Sequence, residues 1–322
     1  MRHLLNISVI GLFFTATLIS SASAATDTSP DSTQINLPPM EQALDGGWKS
    51  VPTKTISTGG VDFAYRELGK RNGGTPVVFL THLAAVLDNW DPRVVDDFAA
   101  THYVVAFDNR GVGASSGSPS NSIEQMADDA IAFIKAMGFD QVDLFGFSMG
   151  GMIAQQIALK EPRLVRKMIL AGTGPAGEAG ISSVSGVTFY DMLRGFFSGQ
   201  DPKQYLFFTR TPAGIEAGKA FLGRLKERSA NRDKEITVTA FLAQLEAIRS
   251  WGQKEPADLS VVKCPVFVVN GDSDRMVPSK DSEDLARRLP NSRLVIYPDS
   301  GHGAIFQFHD DFVPKALEFL AE

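Results

Sequence analysis

The chain has 322 residues, 43% of them hydrophobic, which is enough for one large core with an insertion and excludes disordered and fibrous classes. Its formal net charge is −6, with Lys and Arg scattered singly, so there is no basic stripe to track a phosphate backbone and nucleic acid is not an expected partner. One cysteine, Cys264, allows neither an intramolecular disulfide nor a Cys-based zinc site, and is read as a small buried side chain.

In chain order, residues 1–24 read as a secretory signal. Arg2 supplies the positive start, residues 4–19 are mostly apolar, and Ala22-Ser23-Ala24 fits cleavage before Ala25. The apolar run carries Asn6, Ser8, Thr15 and Thr17 and barely reaches spanning length, so a retained membrane anchor is not expected. The expected location is the periplasm or the medium. Residues 25–50, rich in Ser, Thr, Asp and Pro, read as a loose lead-in in which Trp48 packs locally.

Residues 55–68 form two short extended pieces around Gly59-Gly60, which suits an antiparallel hairpin at a sheet edge. Short apolar strands then follow at 77–80, 103–107, 142–145, 167–170, 266–269 and 294–297, separated by helical patterns. That alternation implies an α/β fold with a mostly parallel sheet and helices on both faces. No strand pattern appears between 170 and 266, where 189–197, 215–228 and 236–251 have helical periodicity. The expected organisation is a core of 51–174 and 259–322, with a helical cap at 175–258 over the carboxyl ends of the strands.

Gly146-Phe147-Ser148-Met149-Gly150 is a GxSxG motif between the 142–145 strand and a helical run at 152–160. A sharp strand-to-helix turn presents Ser148 as a nucleophile, and the helix directs its free N–H groups at a developing oxyanion, which makes Met149 N–H the first donor. A serine hydroxyl needs a base and an acid that orients it. His302, in a Gly-flanked loop past the last strand, is preferred as base over His82, His102 and His309 on the chain order Ser, acid, His. The acid then comes from Gly271-Asp272-Ser273-Asp274, where both aspartates qualify chemically.

These segments, together with Asp108-Asn109-Arg110-Gly111-Val112-Gly113-Ala114-Ser115, resemble the α/β-hydrolase superfamily from Val51 to the end. The family's acid loop, G-x-x-D-x-x-V-P, laid over Gly271 to Pro278 selects Asp274. The family's His-Gly-X oxyanion loop falls on Thr81, His82 and Leu83, so its His and Gly are both replaced. The resemblance makes Leu83 N–H the second donor, with Ala84 as runner-up. Asp108 and Arg110 are expected to build a charge-assisted turn beside the site. Serine at the nucleophile position separates the chain from the dehalogenases and epoxide hydrolases of this fold, which use aspartate. The resemblance is to esterases, enol-lactonases and non-haem haloperoxidase or perhydrolase-like enzymes, and implies a small ester or lactone substrate; the sequence offers no metal constellation and no dinucleotide-type glycine motif, so no cofactor is expected. A C–C bond hydrolase and a catalytically silent ligand-binding protein are the other readings.

Overall fold

The computed structural model describes residues 46–182 and 184–322. The segment 1–24, read above as a secretory signal, and the lead-in to residue 45 lie outside them. Among the described residues no helix is long and apolar enough to cross a membrane.

The chain begins with a hairpin, β1 (Lys54–Thr58) and β2 (Val61–Leu68), turned by Gly59 and Gly60, both at positive φ. Then come β3 (Val77–Leu80), α1 (Pro92–Ala99), β4 (Val104–Phe107), α2 (Ile123–Ala136), β5 (Val142–Phe147), α3 (Met149–Lys160) and β6 (Val165–Ala171). Before the next strand come the α-helices α4 (Ala179–Ser182), α5 (Val184–Ser198), α6 (Lys203–Phe207), α7 (Pro212–Arg224) and α8 (Val238–Gln253). β7 (Val266–Gly271), α9 (Ser279–Arg288), β8 (Ser292–Tyr297), α10 (Ala304–Gln307) and α11 (His309–Ala321) complete the core.

The strand order is β1-β2-β4-β3-β5-β6-β7-β8. Only the β1–β2 and β2–β4 pairs are antiparallel. Every residue of β3, β4, β5 and β7 is buried, as continuous apolar runs in a sheet covered on both faces require. The edges β1 and β8 are more exposed and carry charges such as Lys54 and Arg293, which discourage pairing with another strand. Helix starts follow their sequence signals. Asp91, Thr211 and Thr237 cap α1, α7 and α8 through side-chain oxygens, with proline opening α1 and α7.

Three details differ from the sequence reading. Trp48 is fully enclosed; its indole donates to the Leu87 carbonyl at 3.2 Å and the Arg66 guanidinium lies over its ring. Cys264 is half-buried, and burial pushes its thiol up to about 11. Arg110 pairs with Asp129 on α2 instead of Asp108. Asp108 is enclosed and accepts the Leu87 and Ala114 N–H groups at 3.0 and 3.4 Å, so it pins the loop after β3 as well as its own turn.

A buried ionic cluster fastens the segment before α8 to the core. Arg66 on β2 contacts Asp88 and Asp233, each at 2.8 Å, and the Asp233 N–H donates to Asp88 at 3.0 Å. These charges are almost wholly out of water, so removing any one would strand its partners. Arg224 on α7 likewise grips Asp91 through Nε and a terminal nitrogen.

Candidate active site

Ser148 occupies the junction of β5 and α3 with φ 56 and ψ −119, a strained conformation for a non-glycine residue. Its N–H is held by the Ala171 carbonyl of β6 at 2.8 Å, and its carbonyl accepts from Gly151 at 2.9 Å. The turn demands glycine on both sides. A side-chain carbon at Gly146 would sit about 2.5 Å from the Gly150 carbonyl oxygen, and one at Gly150 would collide with the Leu80 carbonyl.

His302 follows β8 in a loop that packs over the end of β7. Its Nδ1 donates to Asp274 Oδ2 at 2.7 Å, and both side chains are buried. Asp274 Oδ1 accepts the N–H groups of Met276 and Val277 at 2.8 and 3.0 Å, so three bonds fix the carboxylate and through it the imidazole plane. With the proton on Nδ1, His302 Nε2 carries a lone pair, and it is buried without a hydrogen-bond partner. Asp272 does something different. It accepts the Asp299 and Ser300 N–H groups at 3.1 and 3.3 Å and so shapes the loop that delivers His302.

Ser148 and His302 line one cavity of about 260 Å³ beneath the α5–α8 helices, together with His82, Leu83, Thr188, Lys203, Phe207 and Met276 among others. His102 and His309 are not among its lining residues. Of the cap aromatics, Phe207 lines the cavity and Phe208 and Trp251 are buried, whereas Phe189, Tyr190 and Phe197 are exposed.

The loop after β3 has a left-handed residue without a glycine: Ala84, at φ 62. Its N–H donates to Gln244 Oε1 of α8 at 2.8 Å, across 160 positions of sequence. This removes Ala84 from the oxyanion candidates, while the N–H groups of Leu83 and Met149 make no hydrogen bond among the described residues. Gln244 is 1% exposed and was not signalled by any motif; only the folded cap brings it to the loop. Replacing Gln244 by Leu leaves the partly buried Ala84 N–H without this partner. The expected result is a kcat lowered roughly tenfold with KM changed less, read from steady-state kinetics of both enzymes.

A family model described as alpha/beta hydrolase fold matches residues 75–308. The chain belongs to the α/β-hydrolase family.

Several relatives of this α/β-hydrolase span nearly its whole length. A 2-hydroxy-6-oxo-6-(2'-aminophenyl)hexa-2,4-dienoic acid hydrolase of Metapseudomonas resinovorans is 28% identical over 292 residues, covering 87% of this chain and 95% of the relative. A Mycobacterium tuberculosis protein provisionally named non-heme bromoperoxidase BpoC is 25% identical over 273 residues, covering 81% and 98%. Among solved structures, an alpha/beta hydrolase fold protein from Chitinophaga pinensis superposes with TM-score 0.81 at 35% identity, over 85% of this chain and 98% of that one.

His82 stands where the family's oxyanion loop has glycine. Its ring lies edge-on to Phe147 and Phe207 at 5.3 and 5.2 Å, the same two rings that flank His302 at 5.0 and 5.5 Å. Burial, then the charge of Lys203, hold the His82 imidazole down to about 3. The unfolded chain therefore takes up a proton below its ordinary 6.5 that the folded protein refuses, so stability contributed here falls as pH drops from 6.5 toward 3. Between pH 7 and pH 5, wild type is expected to lose about 2 kcal/mol more than His82→Phe, measured by urea unfolding at both values.

Proposed function

We propose that this hydrolase is exported and cleaves a carboxylic ester or lactone through Ser148, His302 and Asp274. The observation that carries the reading is the 2.7 Å His302–Asp274 bond, which leaves Nε2 of His302 without a partner among the described residues on a side chain that lines the same cavity as Ser148. In the acylation step His302 Nε2 takes the Ser148 proton as Oγ attacks the carbonyl carbon. The oxyanion is held by the N–H groups of Met149 and Leu83, and the alcohol leaves with the proton from His302. Water, deprotonated by His302, then hydrolyses the acyl-enzyme. The mostly apolar lining favours a short acyl group, and no step calls on a cofactor. Export rests on the segment 1–24 and its cleavage signal, which would release a periplasmic or secreted protein without a membrane anchor.

The test is hydrolysis of p-nitrophenyl butyrate and of simple lactones by the mature protein, with fluorophosphonate labelling and peptide mapping. Turnover with the label on Ser148 supports the reading. A well-folded protein that shows neither would sink it and leave a ligand-binding protein as the alternative. The BpoC relative favours a second reading, perhydrolysis by the same residues with peroxide replacing water. Peracid formed from acetate and hydrogen peroxide at a rate above ester hydrolysis would put that reading first.

A further inference from the structure

Among the described residues, three that line the cavity hold a buried polar atom with no partner: His302 at Nε2, Thr188 at Oγ1 and His82 at Nε2. The first is accounted for by the proposed proton transfer. The second is a hydroxyl, which can turn to suit a neighbour. His82 has no such freedom. Its Nδ1 lies 2.8 Å from the Leu83 carbonyl oxygen, an acceptor, so Nδ1 carries the ring proton and Nε2 is a bare acceptor. The contacts with Phe147 and Phe207 hold the ring where it is, and its depressed pKa keeps it neutral. A buried acceptor without a donor costs about 1–3 kcal/mol, so the site is built to receive one.

His82 also immediately precedes Leu83, whose N–H is the proposed oxyanion donor, and its ring shares both phenylalanine neighbours with His302. A group bonded to His82 Nε2 would thus share the cavity with Ser148 and His302. From this geometry we infer that His82 is a specificity residue that accepts a hydrogen bond from a hydroxyl or N–H on the carbon next to the scissile carbonyl, selecting 2-hydroxy or 2-amido acyl substrates. Glycine at this position would offer no acceptor, so the feature belongs to this chain's departure from the family loop. The inference rests on the hydrolase reading above.

The experiment compares kcat/KM for methyl 2-hydroxybutanoate, methyl 2-methoxybutanoate and methyl butanoate by pH-stat, with both enantiomers of the substituted esters. One net hydrogen bond corresponds to roughly tenfold, so wild type should prefer one hydroxy enantiomer over both comparison esters by about that factor. In His82→Phe, which keeps a ring but no lone pair, and independently in His82→Met, the ratio should fall to about one, each variant first shown to melt cooperatively. A wild-type ratio near one, or a tenfold ratio that survives in a folded variant, overturns the inference while leaving the hydrolase reading intact. Failure of folded wild type to turn over any of these esters or p-nitrophenyl butyrate removes both together.

Discussion

Ser148→Ala is expected to lower kcat by about 10⁴–10⁶, with KM and melting temperature close to those of wild type. Alanine keeps the backbone bonds to Ala171 and Gly151, so the turn survives and only the nucleophile is lost. What remains is the binding and oxyanion stabilisation that the rest of the site provides. Nucleophile and base act as one unit, so Ser148→Ala/His302→Ala should be no slower than the single variant within about tenfold. Purified variants assayed at saturating p-nitrophenyl butyrate decide this. Activity of Ser148→Ala within tenfold of wild type would assign the nucleophile elsewhere.

Asp274→Asn should cost about 10⁴ in kcat while leaving the fold intact. The asparagine carbonyl can still accept from Met276 and Val277, but its NH₂ then faces His302 Nδ1. That arrangement demands a bare Nδ1 and moves the ring proton to Nε2, where a base needs its lone pair. Asp272→Asn is the matched control. Among the described residues the Asp272 carboxylate meets the Ser273 hydroxyl and the N–H groups of Asp299 and Ser300, and an amide oxygen can replace most of those contacts, so the expected loss is under about tenfold. Kinetics of the two variants side by side rank the aspartates, and the reverse ranking would make Asp272 the acid.

The spacing of Ser148, Asp274 and His302 was legible because each lies at the carboxyl end of a strand whose apolar run is plain in the sequence, and strand ends in a parallel sheet lie side by side. The cap too was visible as helical periodicity without strands, although α7 stops at Arg224 instead of running to residue 228. What could not be read were contacts between residues far apart that no local pattern encodes. Gln244 reaches Ala84, and Arg66 reaches Asp233 across 167 positions. Trp48 lies in a stretch without periodicity, yet it is enclosed because one short 3-10 turn, Gly47–Lys49, suffices to dock a single indole. The misreading of Arg110 has the same origin. Two charges close in sequence suggested one turn, whereas Asp129 on α2 offered a carboxylate for a two-pronged bond.

The bond from Gln244 to Ala84 makes the cap an integral part of the machinery it covers. Relatives of this fold invite exchange of their insertions as modules, with the core treated as a constant chassis. Here such a graft would have to bring its own acceptor for the Ala84 amide, or replace the loop after β3 at the same time. A chimera with a foreign cap can therefore be soluble, well packed and correctly wound around Ser148 and still be slow, because the transplant has left half of the loop's support behind.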